Sequence, residues 1–175
     1  EWTFSEVILD ADLSPDDQWL ALATTSLDPY PRVLRSQLRL LRTTDAFEPP
    51  CRNFTGYVRS LRYSPDGTRL LMIRQQGPVR LLDAQAQDLG SLFEHSAPVI
   101  EAQFSPDGLR VVTLDDIGQA RLSDAHSGGP LSEPWQGASK MLQLTFAPNG
   151  VLVGSGDEGP SGTVWDATCP LPQGW

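Results

Sequence analysis

Apolar and polar positions alternate along this chain in a pattern that returns four times. Val58, Leu61 and Tyr63 are apolar, and Ser60 and Arg62 between them are polar. The same order holds for Ile8, Ala11 and Leu13 around Asp10 and Asp12. It holds again for Val99, Ala102 and Phe104 around Glu101 and Gln103, and for Met141, Leu144 and Phe146 around Gln143 and Thr145. A period of two predicts a strand with one buried face.

Each of these strands runs into the same turn: LSPDD (13–17), YSPDG (63–67), FSPDG (104–108) and FAPNG (146–150). The prolines Pro15, Pro65, Pro106 and Pro148 are separated by 50, 41 and 42 residues. Proline presets φ for the first central place of a type I turn. Asp or Asn follows, and glycine supplies the left-handed residue that lets two strands continue as a hairpin. Asp17 stands in for that glycine in the first copy, and Asp tolerates positive φ better than most residues.

Nearly continuous apolar runs come next: WLALA (19–23), RLLMI (69–73), LRVVTL (109–114) and VLVGS (151–155). They predict second strands buried on both faces. Third strands are predicted at 37–42, 78–83, 119–124 and 161–166, and weaker fourth strands at 88–95 and 130–136. The expected core is Leu61, Tyr63, Leu71, Ile73, Ala102, Phe104, Val112, Leu114, Leu144 and Phe146, with Trp19 and Trp165 as large fillers.

Four short strands per repeat of 41 or 42 residues are the signature of a propeller blade. The predicted fold is therefore all-β, a β-propeller of four-stranded antiparallel blades. The blades fall at about 5–55, 56–95, 96–136 and 137–175 within a single domain over 1–175. This register puts Trp2 and Trp175 inside fourth strands. The expectation is either a piece of a larger propeller or a four-blade product that pairs its two ends, with self-association if the ring is open.

The SPDG turns, the VRLLD and TVWD phrases that end third strands, and Glu94-His95 ahead of a first strand resemble the WD40 repeat family. The resemblance covers the whole chain as four copies. It implies a hydrogen-bonded set within a blade, made of a His, a Ser or Thr, an Asp and a Trp. In the third copy that set is His95, Thr113 and Asp115 or Asp116, with Asp116 assigned as the acid and Ser123 where Trp is expected. In the fourth it is Ser155, Asp157 and Trp165, with Gly137 in place of His. The second copy has Phe54, Met72, Gln75 and Leu82 at these places, and the first has Phe4, Leu22 and Leu41, so apolar packing replaces the network there. The phrasing also resembles bacterial WD40 regions that sit behind protein-kinase or signalling-NTPase domains.

Composition narrows the picture. Glycine and proline number 15 each, which leaves little room for long helices. No run of 18 apolar residues exists and no charged-then-apolar leader opens the chain, so neither a membrane span nor a signal peptide is expected. The net charge of −9 argues against a nucleic-acid backbone as partner. Arg32, Arg35, Arg39 and Arg42 read as a solvated strand face. Cys51 and Cys169 match neither a metal spacing nor a disulfide framework, which fits a reducing, cytoplasmic setting.

The first copy carries about nine extra residues between its second and third strands, in TTSLDPYPRVLRS (24–36). There DPYPR is stiffened by two prolines and presents Tyr30 and Arg32, residue types enriched at binding hot spots. Trp135 in a fourth strand is the third candidate contact. The glycine-rich GSGDEGPSG (154–162) has no Lys-Ser/Thr after it and reads as a hairpin loop. Asp10, Asp12, Asp16 and Asp17 lack calcium-loop spacing and read as solvated acids. His126 reads as exposed, and neither histidine has a neighbour arranged as a nucleophile pair. No metal or cofactor is expected. The leading reading is a non-catalytic protein–protein interaction scaffold. Its rivals are a sensory propeller attached to a kinase, signalling NTPase or peptidase domain outside this chain, and a periplasmic transport-associated propeller.

Overall fold

The computed structural model describes residues 6–25, 35–45, 51–92, 95–136, 140–156 and 162–165. Among them every regular element is a strand. The chain divides into two compact units, residues 1–90 and 91–175.

In the first unit β1 (Val7–Leu13), β2 (Trp19–Thr25), β3 (Arg35–Arg42) and β4 (Arg52–Thr55) form one antiparallel sheet in chain order. The strands β5 (Val58–Tyr63), β6 (Arg69–Arg74), β7 (Arg80–Asp83) and β8 (Asp88–Ser91) form the next. In the second unit β9 (Val99–Phe104), β10 (Arg110–Asp115), β11 (Gln119–Asp124) and β12 (Trp135–Gln136) repeat the arrangement. They are followed by β13 (Met141–Phe146), β14 (Leu152–Gly156) and β15 (Gly162–Trp165). The all-β class, the antiparallel four-stranded sheets and the meander order follow the sequence pattern.

The turn explains its own spelling. Gly67, Gly108 and Gly150 have φ of 70°, 72° and 83°, and Asp17 takes 57°. The serine ahead of the proline is buried in three copies, with Ser14, Ser64 and Ser105 at 3%, 1% and 1% exposure. Its hydroxyl donates to the turn aspartate, as from Ser64 to Asp66 at 2.6 Å. The same oxygen accepts the N–H that opens the second strand, from Trp19, Arg69 and Arg110 at 2.9, 3.0 and 3.0 Å. The aspartate accepts a further N–H two residues on, from Thr68 and Leu109 at 3.0 Å each. Each letter of Ser-Pro-Asp-Gly therefore satisfies or presets a backbone group that the tight bend would leave exposed.

Among the described residues, a core lies between the two sheets of each unit. In the first, Ala21, Ala23, Leu38 and Leu40 of the leading sheet meet Val58, Leu61, Tyr63, Leu70, Met72 and Leu82 of the next. Trp19 packs at its border, with the Arg42 guanidinium 5.3 Å from its ring. In the second, Val112, Leu114, Ala120 and Leu122 meet Met141, Leu144 and Leu152. The expected core positions Leu61, Tyr63, Leu71, Ile73, Ala102, Val112, Leu114 and Leu144 are buried. Phe104, Phe146 and Trp19 are half-buried. Trp165 lies in β15, and its side chain is outside the described residues.

Two expectations need correction. Ile8 and Leu13 belong to the buried face by alternation, yet they are 46% and 44% exposed. Their counterparts Val58 and Tyr63 belong to the core formed with the sheet ahead of them. Asp10 and Asp12 are not merely solvated. They reach the next sheet, where Leu61 N–H donates to Asp10 at 2.8 Å and Tyr63 N–H to Asp12 at 2.6 Å. Arg62 closes an ion pair with Asp10 at 3.0 Å. In the second unit Glu101 accepts from Leu144 N–H at 3.0 Å, and Gln103 donates to the Leu144 carbonyl at 2.9 Å. The polar face of a first strand thus clamps the backbone of the following one.

Candidate functional site

In the second and third repeats the connection after the second strand meets the approach to the first strand at one edge of the sheet, where Gln75 N–H donates to the Tyr57 carbonyl and Asp116 N–H to the Pro98 carbonyl. In the third repeat this edge holds His95, Thr113 and Asp115. His95 Nδ1 lies 3.0 Å from the Asp115 carboxylate, and Nε2 lies 2.7 Å from the Thr113 hydroxyl. Gln119 N–H also donates to Asp115, at 2.8 Å. Burial chiefly lowers the His95 pKa, Asp115 opposes that, and Arg121 lowers it further. The ring is therefore neutral near pH 7, with Nδ1–H donating to Asp115 and Nε2 accepting from Thr113.

The order hydroxyl, imidazole, carboxylate is that of a nucleophile relay. Here the His95 and Asp115 side chains are 1% and 0% exposed, and Thr113 is 2% exposed. No substrate carbonyl can reach the hydroxyl, so what the arrangement does is tie the end of β10 to the approach of β9. The acid of the set is Asp115. Asp116, assigned from sequence, is exposed, and its N–H donates to the Pro98 carbonyl at 3.0 Å. β10 runs one residue further than its apolar stretch, and that turns Asp115 inward.

Moving back 41 residues from Asp115 gives Arg74, and from His95 gives Phe54. The same edge of the second repeat thus holds a cation in the acid's place. Beside it lies a concavity of about 440 Å³, lined by Thr55, Gly56, Tyr57, Arg74, Gln75, Gln76 and Gly77. No carboxylate is among the described residues that line it. Arg74 Nε is buried and meets no hydrogen-bond partner among the described residues. Burial pulls the guanidinium pKa below its ordinary value, Arg80 adds to the pull, and Asp88 opposes it. Asp88 itself pairs with Arg80 at 3.0 Å. Gly77 has a φ of 92°, a conformation that favours glycine, and the Arg74 guanidinium lies against it, 2.8 Å from where a Cβ would sit.

The third strands of the first three repeats share an arginine position that the sequence reading did not single out. Arg39, Arg80 and Arg121 recur at an interval of 41 residues, and each pairs across to the second strand at Leu22, Met72 and Thr113. Arg39 pairs with Glu6 at 2.9 Å, and Thr24 donates to the same Glu6 oxygen at 3.0 Å. Arg121 reaches Gln119 at 3.5 Å. The constant interval was the available signal.

The remaining candidates separate. Tyr30, Arg32 and Asp157 lie outside the described residues. Trp135 is half-buried in β12, opposite Ala120, and packs against the core of its unit. Ser155 is exposed in β14, with no histidine brought to it. Trp165 pairs with Leu152 in the backbone ladder. Among the described residues no three His, Cys, Asp or Glu side chains gather as a metal site.

No family model matches the chain, and no curated protein matches it. Among solved structures it is similar to a computationally designed protein, Ika8, with a TM-score of 0.69 and 17% sequence identity. The match covers 91% of this chain and 46% of the designed one, so the chain spans less than half of that protein's length. The likeness is one of fold.

Proposed function

We propose that this chain is a non-catalytic protein-interaction platform built as WD40-like propeller blades, and that the concavity beside Arg74 receives an acidic side chain or carboxyl terminus of a protein partner. The observation that carries this reading is the Arg74 guanidinium, half-buried at a sheet edge with no carboxylate among the described residues that line its concavity. A desolvated guanidinium is a strong receptor for a carboxylate, because its fork matches the two oxygens and water competes poorly there. Tyr57, Gln75 and Gln76 supply neutral donors around it. The sheets behind are fixed by buried cores, so the edge is presented rigidly, and binding costs little ordering.

Several features support the non-catalytic part. The relay-like set at His95 is sealed from solvent, and the serines of the turns are occupied by backbone donors. A cytoplasmic setting goes with this reading, as Cys51 is a free exposed thiol. The overall charge of −9 keeps nucleic acid away, while one local cation accepts an acidic group.

The test is affinity capture from the source proteome with the wild-type chain, Arg74→Glu, and Arg59→Glu as an exposed control of equal charge change. The expected result is a defined set of proteins kept by the control and lost with Arg74→Glu, and blocked by peptides ending in Asp or Glu. Identical capture by all three would overturn the reading.

A further inference from the structure

The concavity at the edge of the second sheet is larger, and better supplied with donors, than one carboxylate requires. Its volume is about 440 Å³, in the range of sites that enclose a whole ligand group. Beyond Arg74 it is lined by the hydroxyl-bearing Thr55 and Tyr57 and by the amides of Gln75 and Gln76. None of these four side chains makes a hydrogen bond among the described residues. A carboxylate brings two oxygens, and the Arg74 fork alone can meet both.

A second guanidinium stands beside the first. Arg80 opens β7 opposite Met72 of β6, and Arg74 lies two residues past Met72, so both arginines leave the same face of the sheet. After burial, the closeness of Arg80 is the next cause that lowers the Arg74 pKa, and Asp88 opposes both. Asp88 bonds Arg80 at 3.0 Å, and its other oxygen accepts from Gly90 N–H at 2.9 Å. Arg35 lies opposite Thr55, and Arg59 follows Val58, which lies opposite Arg74. Both are exposed and neither joins an ion pair among the described residues. Solvent screens these two, so they add to the field at this edge rather than to its contacts.

We propose that the acidic group taken at this site is a phosphoryl monoester on a serine or threonine of the partner, held by the Arg74 and Arg80 guanidiniums together. The inference rests on the Arg74 reading above and narrows its ligand. A phosphoryl group carries close to two negative charges at pH 7 and three oxygens that accept strong hydrogen bonds. It therefore answers two cations at once and still leaves an oxygen for the hydroxyl and amide donors. A single carboxylate gives Arg80 no reason to turn from Asp88. A dianion does, because the Arg80–Asp88 pair is partly exposed, at 34% and 40%, and such pairs hold weakly in water. Asp88 then acts as a competitor that keeps Arg80 in place while the site is empty.

The experiment is a nuclear magnetic resonance titration of the whole chain with short capped peptides, alanines around a central serine, glutamate or phosphoserine, and with inorganic phosphate. The amide signals of Gly56, Tyr57, Gln75 and Gly77 report occupancy. The phosphoserine peptide should bind roughly tenfold more tightly than the glutamate peptide, the equivalent of one further charge-assisted bond. It should also bind more tightly than inorganic phosphate, and the serine peptide should not bind. Arg80→Gln should bring the phosphoserine peptide down to the glutamate level and leave the glutamate peptide unchanged. Asp88→Asn keeps an oxygen for Gly90 N–H and releases Arg80, so it should tighten the phosphoserine peptide roughly threefold or more. Equal binding of the phosphoserine and glutamate peptides overturns the inference and leaves the Arg74 reading standing. So does a preference that survives Arg80→Gln, or an Asp88→Asn variant that binds no more tightly. Inorganic phosphate that binds as well as the phosphoserine peptide overturns the assignment to a partner's side chain. Absence of binding by either acidic peptide, or binding that Arg74→Glu does not weaken, overturns both readings.

Discussion

The imidazole of His95 is held between two partners but answers to one: Asp115, 3.0 Å from Nδ1 and fully sealed from water. Because burial lowers the His95 pKa below its ordinary 6.5, the folded state resists the proton that the unfolded chain accepts. Its contribution is complete above the unfolded value and is lost as pH falls below it towards the folded one. The urea midpoint should therefore drop between pH 7 and 5. His95→Ala should be flat across that window and lower at pH 7 by about 3 kcal/mol, because Asp115 is left buried with Gln119 N–H as its remaining donor. The turn aspartates Asp66 and Asp107 do not blur this. The Ser64 and Ser105 hydroxyls hold their carboxyls below the ordinary 3.8, so their contribution is lost only in stronger acid.

Tyr63 presents the opposite case, a polar group that the core does not satisfy. Its hydroxyl is buried with no hydrogen-bond partner among the described residues, and burial first, then Asp12 and Asp16, push its pKa up to about 12. Phe104 and Phe146 hold the same place in the later repeats. Tyr63→Phe removes an unmet donor at nearly constant shape, so it should stabilise the protein by about 1 kcal/mol. Thermal or urea unfolding of the single variant measures this.

Much of this architecture was legible because alternation and turn chemistry are local. The strand starts, the glycine φ values and the antiparallel order all follow from letters within a few residues of one another. Burial is not local, and Ile8 shows why: it has the same pattern as Val58 but is 46% exposed where Val58 is 2%. The choice between Asp115 and Asp116 was equally hidden, since it depends on β10 running one residue past its apolar stretch. The arginine in the acid's place at 74 could have been read from the repeat alignment. A search for a retained network passes over the positions where the network has changed sign.

Two glycines with nearly equal φ separate backbone strain from crowding. Gly56 has φ of 82° with nothing within 4 Å of an added Cβ, and Gly118 has φ of 84° with the Met141 backbone nitrogen at 2.7 Å. Gly56→Ala should cost about 1–2 kcal/mol, the left-handed penalty alone. Gly118→Ala carries that penalty and must also push the start of β13 away, which adds about 1–3 kcal/mol. Urea unfolding of both variants side by side checks the difference. Equal losses would mean that β13 shifts freely.

The fourth turn offers a gain. Ala147 stands where Ser14, Ser64 and Ser105 stand, and Asn149 stands where the aspartates do. The Ala147 N–H donates to the Val151 carbonyl at 2.7 Å, four residues on where the serines of the other turns reach five, so this bend is closed but one residue shorter. What is missing is the hydroxyl that accepts the second-strand N–H and donates to the turn acid. Val151 N–H reaches only Asn149, at 3.2 Å. Restoring both letters with Ala147→Ser and Asn149→Asp adds a neutral hydrogen bond and a charge-assisted one, each worth about 1 kcal/mol net in a half-buried turn. The double variant should raise the urea midpoint at unchanged slope, and Ala147→Ser alone should give less than half of the gain. Ser64→Ala, the reverse change, should lose about as much, because Arg69 N–H and Asp66 then both miss a partner. If the double variant gains nothing while Ser64→Ala still loses, the fourth turn is held by its strands rather than by its own chemistry.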